Sequence, residues 1–427
     1  MNITVKPTMR GVSRLAPGRL SPTLAAIALS AAAFADPAEI AVSNVSMRQD
    51  RQTQKVHVSY DLSNENDAPA YVVLDIQTNG VSIGRANIRT LSGDVSDADF
   101  SATVAVGTGK EIVWDARKDW KGHLATAATA VVTAYYADHL WQIPGVYMKI
   151  DLSGGTSAAS YPVSYTLNAP DVLDAAAPFA KDTLWLRRIE PGVFEMGSPA
   201  TEIGHNASGA ENLHQVTLTK PFFIGVFETT QYQYMQVTGT SASSSTGTGD
   251  TFPCGGLSYT KVRGSGAPDT APETGKFLAT IREKAQIGID LPTEAQWEYA
   301  CRAGTTTGFY NGTNPSTSSG TDANLDTIAW YNKNASGKFR QVGSKQPNDW
   351  GLYDMLGNGY ELVRDRFVGD ISPYALDPLV TSGSNVMLRG GAADATVNWC
   401  RSAWRLSWAI GTSHQSVGFR VAWTVGE

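Results

Sequence analysis

The chain is poor in the residues from which metal and redox centres are most often built. Only three cysteines occur in 427 residues, Cys254, Cys301 and Cys400, and no C-x-x-C is among them. The six histidines, at positions 57, 123, 139, 205, 214 and 414, show no i,i+4 or finger-like spacing. A zinc site is therefore not expected. Charged residues make up 17%, the formal net charge is -6, and no basic stripe is present, so nucleic-acid binding lacks its electrostatic footprint. Long apolar runs are also missing beyond the N-terminus, which excludes a membrane span in the rest of the chain. What is plentiful is apolar residues, 42% of the chain, enough for sizeable cores over the two or three domains this length predicts.

The first 35 residues read as a targeting segment. Lys6, Arg10, Arg14 and Arg19 form a positive n-region, and "TLAAIALSAAAFA" (23–35) is an apolar stretch shorter than the about 20 residues a membrane anchor needs. Ala33-Phe34-Ala35 fits a signal-peptidase site before Asp36. The expectation is export, to a secreted, periplasmic or cell-surface location, with no membrane span after cleavage.

Residues 39–137 read as strands. In "KVHVSYDL", Val56, Val58, Tyr60 and Leu62 fall on one face at the period of two that marks a half-buried strand. "YVVLDI" (71–76), "KEIVWDA" (110–116) and "TAVVTAYY" (129–136) follow between Asn-, Gly-, Ser- and Asp-rich turns. The expectation is a small immunoglobulin-like β-sandwich. Residues 138–182 form a transition segment rich in Ser, Ala, Gly and Pro, although Tyr147, Ile150 and Tyr161 are large for a pure linker.

From 183 to 427 the texture changes. "LPTEAQWEYACRAG" carries a helix with Thr293 as N-cap and Gln296 in capping-box position, Trp297 and Ala300 facing inward, and Gly304 as a stop signal. Glu294 and Glu298 lie i,i+4 on that helix, the usual signature of a solvated face. The Ser/Thr/Gly-rich stretch 239–270, which holds Cys254, reads as a surface loop.

Ordered landmarks in this half carry a resemblance. They are "GVFEMGS" (192–198), "HQVTLTKPFFIGVFETTQYQY" (214–234), "LPTEAQWEYACRAGT" (291–305), "NDWGLYDMLGNGYEL" (348–362), "LRGG" (388–391), "CRSAWR" (400–405) and "GFRVA" (418–422). Together they resemble the sulfatase-modifying-factor family of formylglycine-generating-enzyme-like domains over roughly 230 residues. The resemblance implies an α+β fold of C-type-lectin-like type, so the whole chain is expected to be a β-sandwich followed by such a domain. Catalytic members of that family oxidise a sulfatase cysteine to formylglycine with copper and oxygen, using two facing thiolates, which suit soft Cu(I). Counted forward from Gly391, the first thiol position is Ala395 and the second Cys400; counted back from Arg405, they fall on Ala392 and Val397. Either way the first thiol is missing, and copper is not expected. Cys400, the weak remaining catalytic candidate, and Cys301 then form a disulfide, remain two buried thiols, or serve as a redox or metal pair.

The resemblance also implies a calcium loop in "DMLGNGYE", with the side chains of Asp354 and Glu361 and the carbonyls of Gly357 and Gly359 around a hard cation. A second calcium site would use Asn324 and the Leu325 carbonyl. Trp399, Trp404, Trp408 and His414 lie in the stretch that forms the family's surface groove, where exposed rings stack on sugars or anchor a protein partner, and core packing is the alternative for each. The resulting expectation is an exported, calcium-stabilised, non-catalytic binding or scaffold module for a protein or glycan ligand. The competing expectation is an oxidoreductase acting on protein or small-molecule thiols through a non-standard metal site.

Overall fold

A computed structural model describes residues 40–123, 127–172, 181–242 and 245–427. The expected targeting segment, 1–35, lies outside them. The chain divides at Leu140/Trp141 into two units.

The N-terminal unit contains β1 (Ala41–Gln49), β2 (Val56–Ser63), β3 (Tyr71–Thr78), β4 (Val81–Ser82), β5 (Leu91–Gly93), β6 (Gly107–Trp114), a single helical turn α1 (Ala116–Asp119) and β7 (Ala128–Tyr135). They pair antiparallel as two sheets, β1-β2-β6-β5 and β4-β3-β7. The alternation in β2 behaves as its sequence predicts: Val56, Val58, Tyr60 and Leu62 are buried and the residues between them are not. They share one core with Val72, Leu74 and Ile76 of β3 and Ile112 and Trp114 of β6.

The C-terminal unit mixes short strands and helices. Its strands are β8 (Tyr147–Asp151), β9 (Val163–Thr166), β10 (Thr183–Ile189), β11 (Gly192–Met196), β12 (His214–Leu218), β13 (Phe222–Gly225), β14 (Tyr360–Arg366), β15 (Asn385–Arg389), β16 (Leu406–Ala409), β17 (Val417–Phe419) and β18 (Ala422–Thr424). Its helices are α2 (Gln231–Thr238), α3 (Tyr259–Val262), α4 (Phe277–Ala285), α5 (Glu294–Arg302) and α6 (Ala323–Asp326). One sheet runs β18-β13-β10-β8-β9, a second β16-β15-β14-β17, and β11 and β12 form a hairpin.

Two stretches carry more structure than their composition suggests. The transition segment is not a pure linker in its described part, as its large residues indicated: β8 and β9 extend the five-stranded sheet, and Tyr147 and Ile150 of β8 are buried, as is Tyr161 just before β9. The stretch 239–270 is not a plain surface loop either. Cys254, Leu257, Tyr259 and Val262 are buried, so α3 and its flanks are part of the core.

Helix α5 starts as its sequence predicts, with a reciprocal capping box between Thr293 and Gln296. It ends one residue before the expected stop, at Ala303, which takes the left-handed conformation itself at φ 46°. Trp297 and Ala300 are fully buried.

Candidate functional site

The acids on α5 are not solvated. Glu294 and Glu298 are 0% and 1% exposed, respectively. Burying a carboxylate is costly unless it is paired and hydrogen-bonded, and both are. Arg405 donates to Glu294 from Nε at 2.6 Å and Nη2 at 2.9 Å. Arg302 donates to Glu298 at 2.9 and 2.8 Å, Arg389 completes the group through its own Nη2, and the Gly197 amide adds a bond of 2.9 Å. Arg401, also fully buried, reaches Glu202 and Glu211. The arginines of "LRGG", "CRSAWR" and "GFR" are thus the cationic half of a buried ion-pair lattice. Asp365 sits beside it, its oxygens accepting the amides of Glu294 and Val380. Burial first, and then the Glu294 charge, push Asp365 up to about 7.

Next to this lattice lies the loop 354–361. Asp354, Gly357 and Asn358 all have left-handed φ values, of 53°, 80° and 57°. A Cβ on Gly357 would lie 2.3 Å from the Trp330 carbonyl oxygen, so only glycine fits there. Glu361 accepts Trp297 Nε1 at 2.7 Å and two bonds from Arg420, at 2.7 and 2.6 Å. Glu228, on the loop between β13 and α2, accepts the Gly359 amide at 2.8 Å and Asn358 Nδ2 at 2.7 Å. One oxygen of Asp354 accepts the Gly343 amide at 2.7 Å, while Oδ1 is buried without a partner.

Three buried carboxylates therefore surround one guanidinium. Burial, and then the charges of Asp354 and Glu361, push Glu228 well above the usual carboxylate range, and burial raises Asp354 to about 6. Among the described residues no group of three or more His, Cys, Asp or Glu side chains is arranged to hold a metal. The donor set still suits a hard cation at this loop. Asp354 Oδ1 is free, and Glu361 Oε1 accepts one bond and keeps a lone pair. The expected second site fares differently. The Leu325 carbonyl already accepts the amides of Ile328 and Ala329, at 3.1 and 2.9 Å, because it lies in the turn of α6. With those lone pairs committed, the Leu325 carbonyl does not fit the part of a calcium ligand.

The three cysteines are free and fully buried, so of the alternatives left open for Cys301 and Cys400 the structure holds two buried thiols and not a disulfide. The two thiols are held in separate surroundings. Cys301 contacts Ser402 Oγ at 3.6 Å, and Cys400 lies under Gly391, where a Cβ would come within 2.6 Å of its sulfur. Burial pushes both thiols up to about 12, and Cys254 higher. Ala392, Ala395 and Val397, the positions a second thiol would need, are buried with no sulfur at any of them.

The aromatic residues divide into two sets. Trp399, 41% exposed, stacks on buried Trp404 at 5.6 Å, and Trp404 packs on Tyr360 at 5.7 Å. Trp408 and His414 form a separate edge-to-face pair at 5.7 Å, both half-buried. Of the four, only Trp399 presents a largely open ring. Ser198 bonds both His205 and Glu211, at 2.9 and 2.8 Å. Glu211 is held by Arg401, so this trio anchors a loop rather than activating a hydroxyl.

Residues 177–425 match the family model described as the sulfatase-modifying factor enzyme 1-like domain. The chain belongs to this family. Over 182 residues it is 32% identical to the chaperone protein LppX of Paenibacillus barcinonensis, covering 34% of this chain and 61% of that protein. Over 115 residues it is 33% identical to the formylglycine-generating enzyme of Mycobacterium tuberculosis, covering 26% of this chain and 38% of the enzyme. The chain thus spans less than two thirds of either curated relative. Among solved structures, PvdO from Pseudomonas aeruginosa aligns with a TM-score of 0.48 and 23% identity, over 57% of this chain and 95% of that one. The Treponema denticola variable protein 1 aligns with a TM-score of 0.45 and 23% identity, over 56% and 95%. Among the described residues no helix is long and apolar enough to cross a membrane.

Proposed function

We propose that this family member is an exported binding or scaffold module that does not carry out copper-dependent formylglycine chemistry. One observation carries the reading: the first thiol position is a buried alanine whichever landmark is counted from, and every cysteine is a buried, high-pKa thiol. Copper(I) needs thiolates, and a thiol held near 12 is protonated at neutral pH. The N-terminal unit, with its two sheets over one core, is taken as an immunoglobulin-like sandwich that serves as a structural module. The open Trp399 ring, backed by Trp404 and Tyr360, is the face offered to a protein or glycan ligand.

Calcium belongs to the same reading. Asp354 and Glu361 would hold it, and its charge would offset the excess of buried carboxylates around Arg420. Calcium added to chelator-treated protein is expected to raise the Tm of the C-terminal unit. Asp354→Asn is expected to remove most of that rise, and an unchanged rise would count against the loop.

The deciding experiment gives residues 36–427, reduced and copper-loaded, oxygen and a sulfatase-type cysteine peptide, with the product read by mass spectrometry. The expected result is an unmodified peptide. Formylglycine in the product would overturn the proposal.

A further inference from the structure

The N-terminal unit carries a cleft that the binding face on the C-terminal unit does not involve. It has a volume of about 240 Å³ and opens where the end of β6, α1 and the residues after it meet β1 and β2. That is the scale of one ring rather than of the roughly 300–1,000 Å³ clefts that hold drug-sized ligands. Two tryptophans shape it: Trp114, buried at its base, and half-buried Trp120, with ring centroids 6.4 Å apart. His123 stacks flat on Trp120, at 4.8 Å and 2° between planes.

The charge of the lining is one-sided. Arg117, Lys121 and His123 contribute to it together with the amide of Gln49, and among the described residues no acidic one does. The acids nearby in sequence are turned to other work. Asp119 accepts the Arg89 and Thr90 amides and Trp114 Nε1, at 2.7, 2.6 and 3.0 Å. Asp115 caps α1, and Asp50 holds the turn through the Gln52 and Thr53 amides. Arg117 and Lys121 are exposed, and among the described residues neither forms an ion pair. Indole faces pack against the flat C–H faces of rings, guanidinium and ammonium groups take a carboxylate, and an amide takes hydroxyls.

We propose that this cleft binds a carboxylate-bearing sugar ring, a uronic acid, free or as a residue of an acidic polysaccharide. The ring takes the place on Trp120 that the exposed His123 imidazole holds in this structure, and its carboxylate meets Arg117 and Lys121. This site is independent of the proposed function of the C-terminal unit.

The test titrates the full chain with methyl glucuronoside, methyl glucoside and acetate, followed by tryptophan fluorescence and calorimetry. The glucuronoside is expected to bind in the millimolar range, with the glucoside and acetate each weaker by about tenfold or more. The double variant Arg117→Ala/Lys121→Ala should lose about tenfold for the glucuronoside and become insensitive to salt. Both side chains are exposed, so this variant is expected to fold even where Trp120→Ala does not. An oligogalacturonide that binds more tightly than the monosaccharide would place the natural ligand in a polymer, and equal binding would indicate the free sugar. Glucuronoside binding no better than glucoside, or unchanged in the double variant, would overturn the proposal.

Discussion

The two units solve the same problem, filling an interior, with different chemistry. In the N-terminal unit the core is apolar side chains delivered at a period of two, and among the described residues no Asp, Glu, Lys, Arg or His of that unit is buried. In the C-terminal unit the interior contains fully buried arginines, Arg263, Arg389, Arg401 and Arg420, with acids from distant parts of the chain against them. An apolar core tolerates the loss of one side chain at the expense of a cavity. A charge lattice loses more, because removing one partner strands the other without water.

The largest expected effect follows from that difference. Arg420→Met leaves Glu361, Glu228 and Asp354 facing one another with no cation, and should cost about 3–5 kcal/mol or prevent the C-terminal unit from folding. Leu74→Ala in the apolar core should cost about 2–4 kcal/mol and affect the N-terminal unit. Urea unfolding of the two variants, followed by tryptophan fluorescence, checks both the order and the location. Equal costs would erase the distinction between the units.

The difference also explains what the sequence made legible. Strand β2 could be read from Val56, Val58, Tyr60 and Leu62 alone because its burial is set by local alternation. The start of α5 was equally local, resting on Thr293 and Gln296. The role of Glu294 and Glu298 was not. Their partners Arg405 and Arg389 lie 111 and 91 residues away, and i,i+4 spacing is the same for a solvated face as for a buried one. A signal was present in the company they keep, since Trp297 lies between them on the same short helix. The strands β8 and β9 were hidden by a linker-like composition, with only Tyr147, Ile150 and Tyr161 as markers of burial. In the candidate site, the family landmarks located the 354–361 loop, but neither Glu228 nor the free Asp354 Oδ1 has a local signature. The alternatives for Cys301 and Cys400 stayed open in the sequence because cysteine count and compartment do not report distance or burial.

The units should also respond oppositely to pH. Asp365 is raised by burial to about 7, so it holds its proton more tightly in the folded state. Its favourable contribution is complete below the unfolded value near 4 and is lost as pH rises through 7. In the N-terminal unit burial acts to raise Asp119, but the bonds from Thr90, Arg89 and Trp114 prevail and lower it. Its contribution is present above the unfolded value near 4 and is lost on acidification. Between pH 5 and 8 the C-terminal unit is therefore expected to lose up to about 3 kcal/mol through Asp365, relative to the Asp365→Asn variant, while the N-terminal unit changes little. Parallel pH profiles for wild type and variant would remove Asp365 from the account.

The smallest expected effect on stability is at the aromatic face, and its smallness is informative. Trp399 is 41% exposed and covers Trp404, so Trp399→Ala loses one stacking contact and part of an apolar area, about 1 kcal/mol. Trp404→Ala removes the middle of the stack, a buried ring touching both Trp399 and Tyr360, and should cost about 3 kcal/mol or more. A side chain kept only for packing would show the reverse economy, little exposure and a large cost. If chemical denaturation gives Trp399→Ala a cost equal to that of Trp404→Ala, the exposed ring is structural and the binding face loses its main support. A small cost leaves an open indole whose presence stability does not explain, which is what a ligand-contacting residue requires.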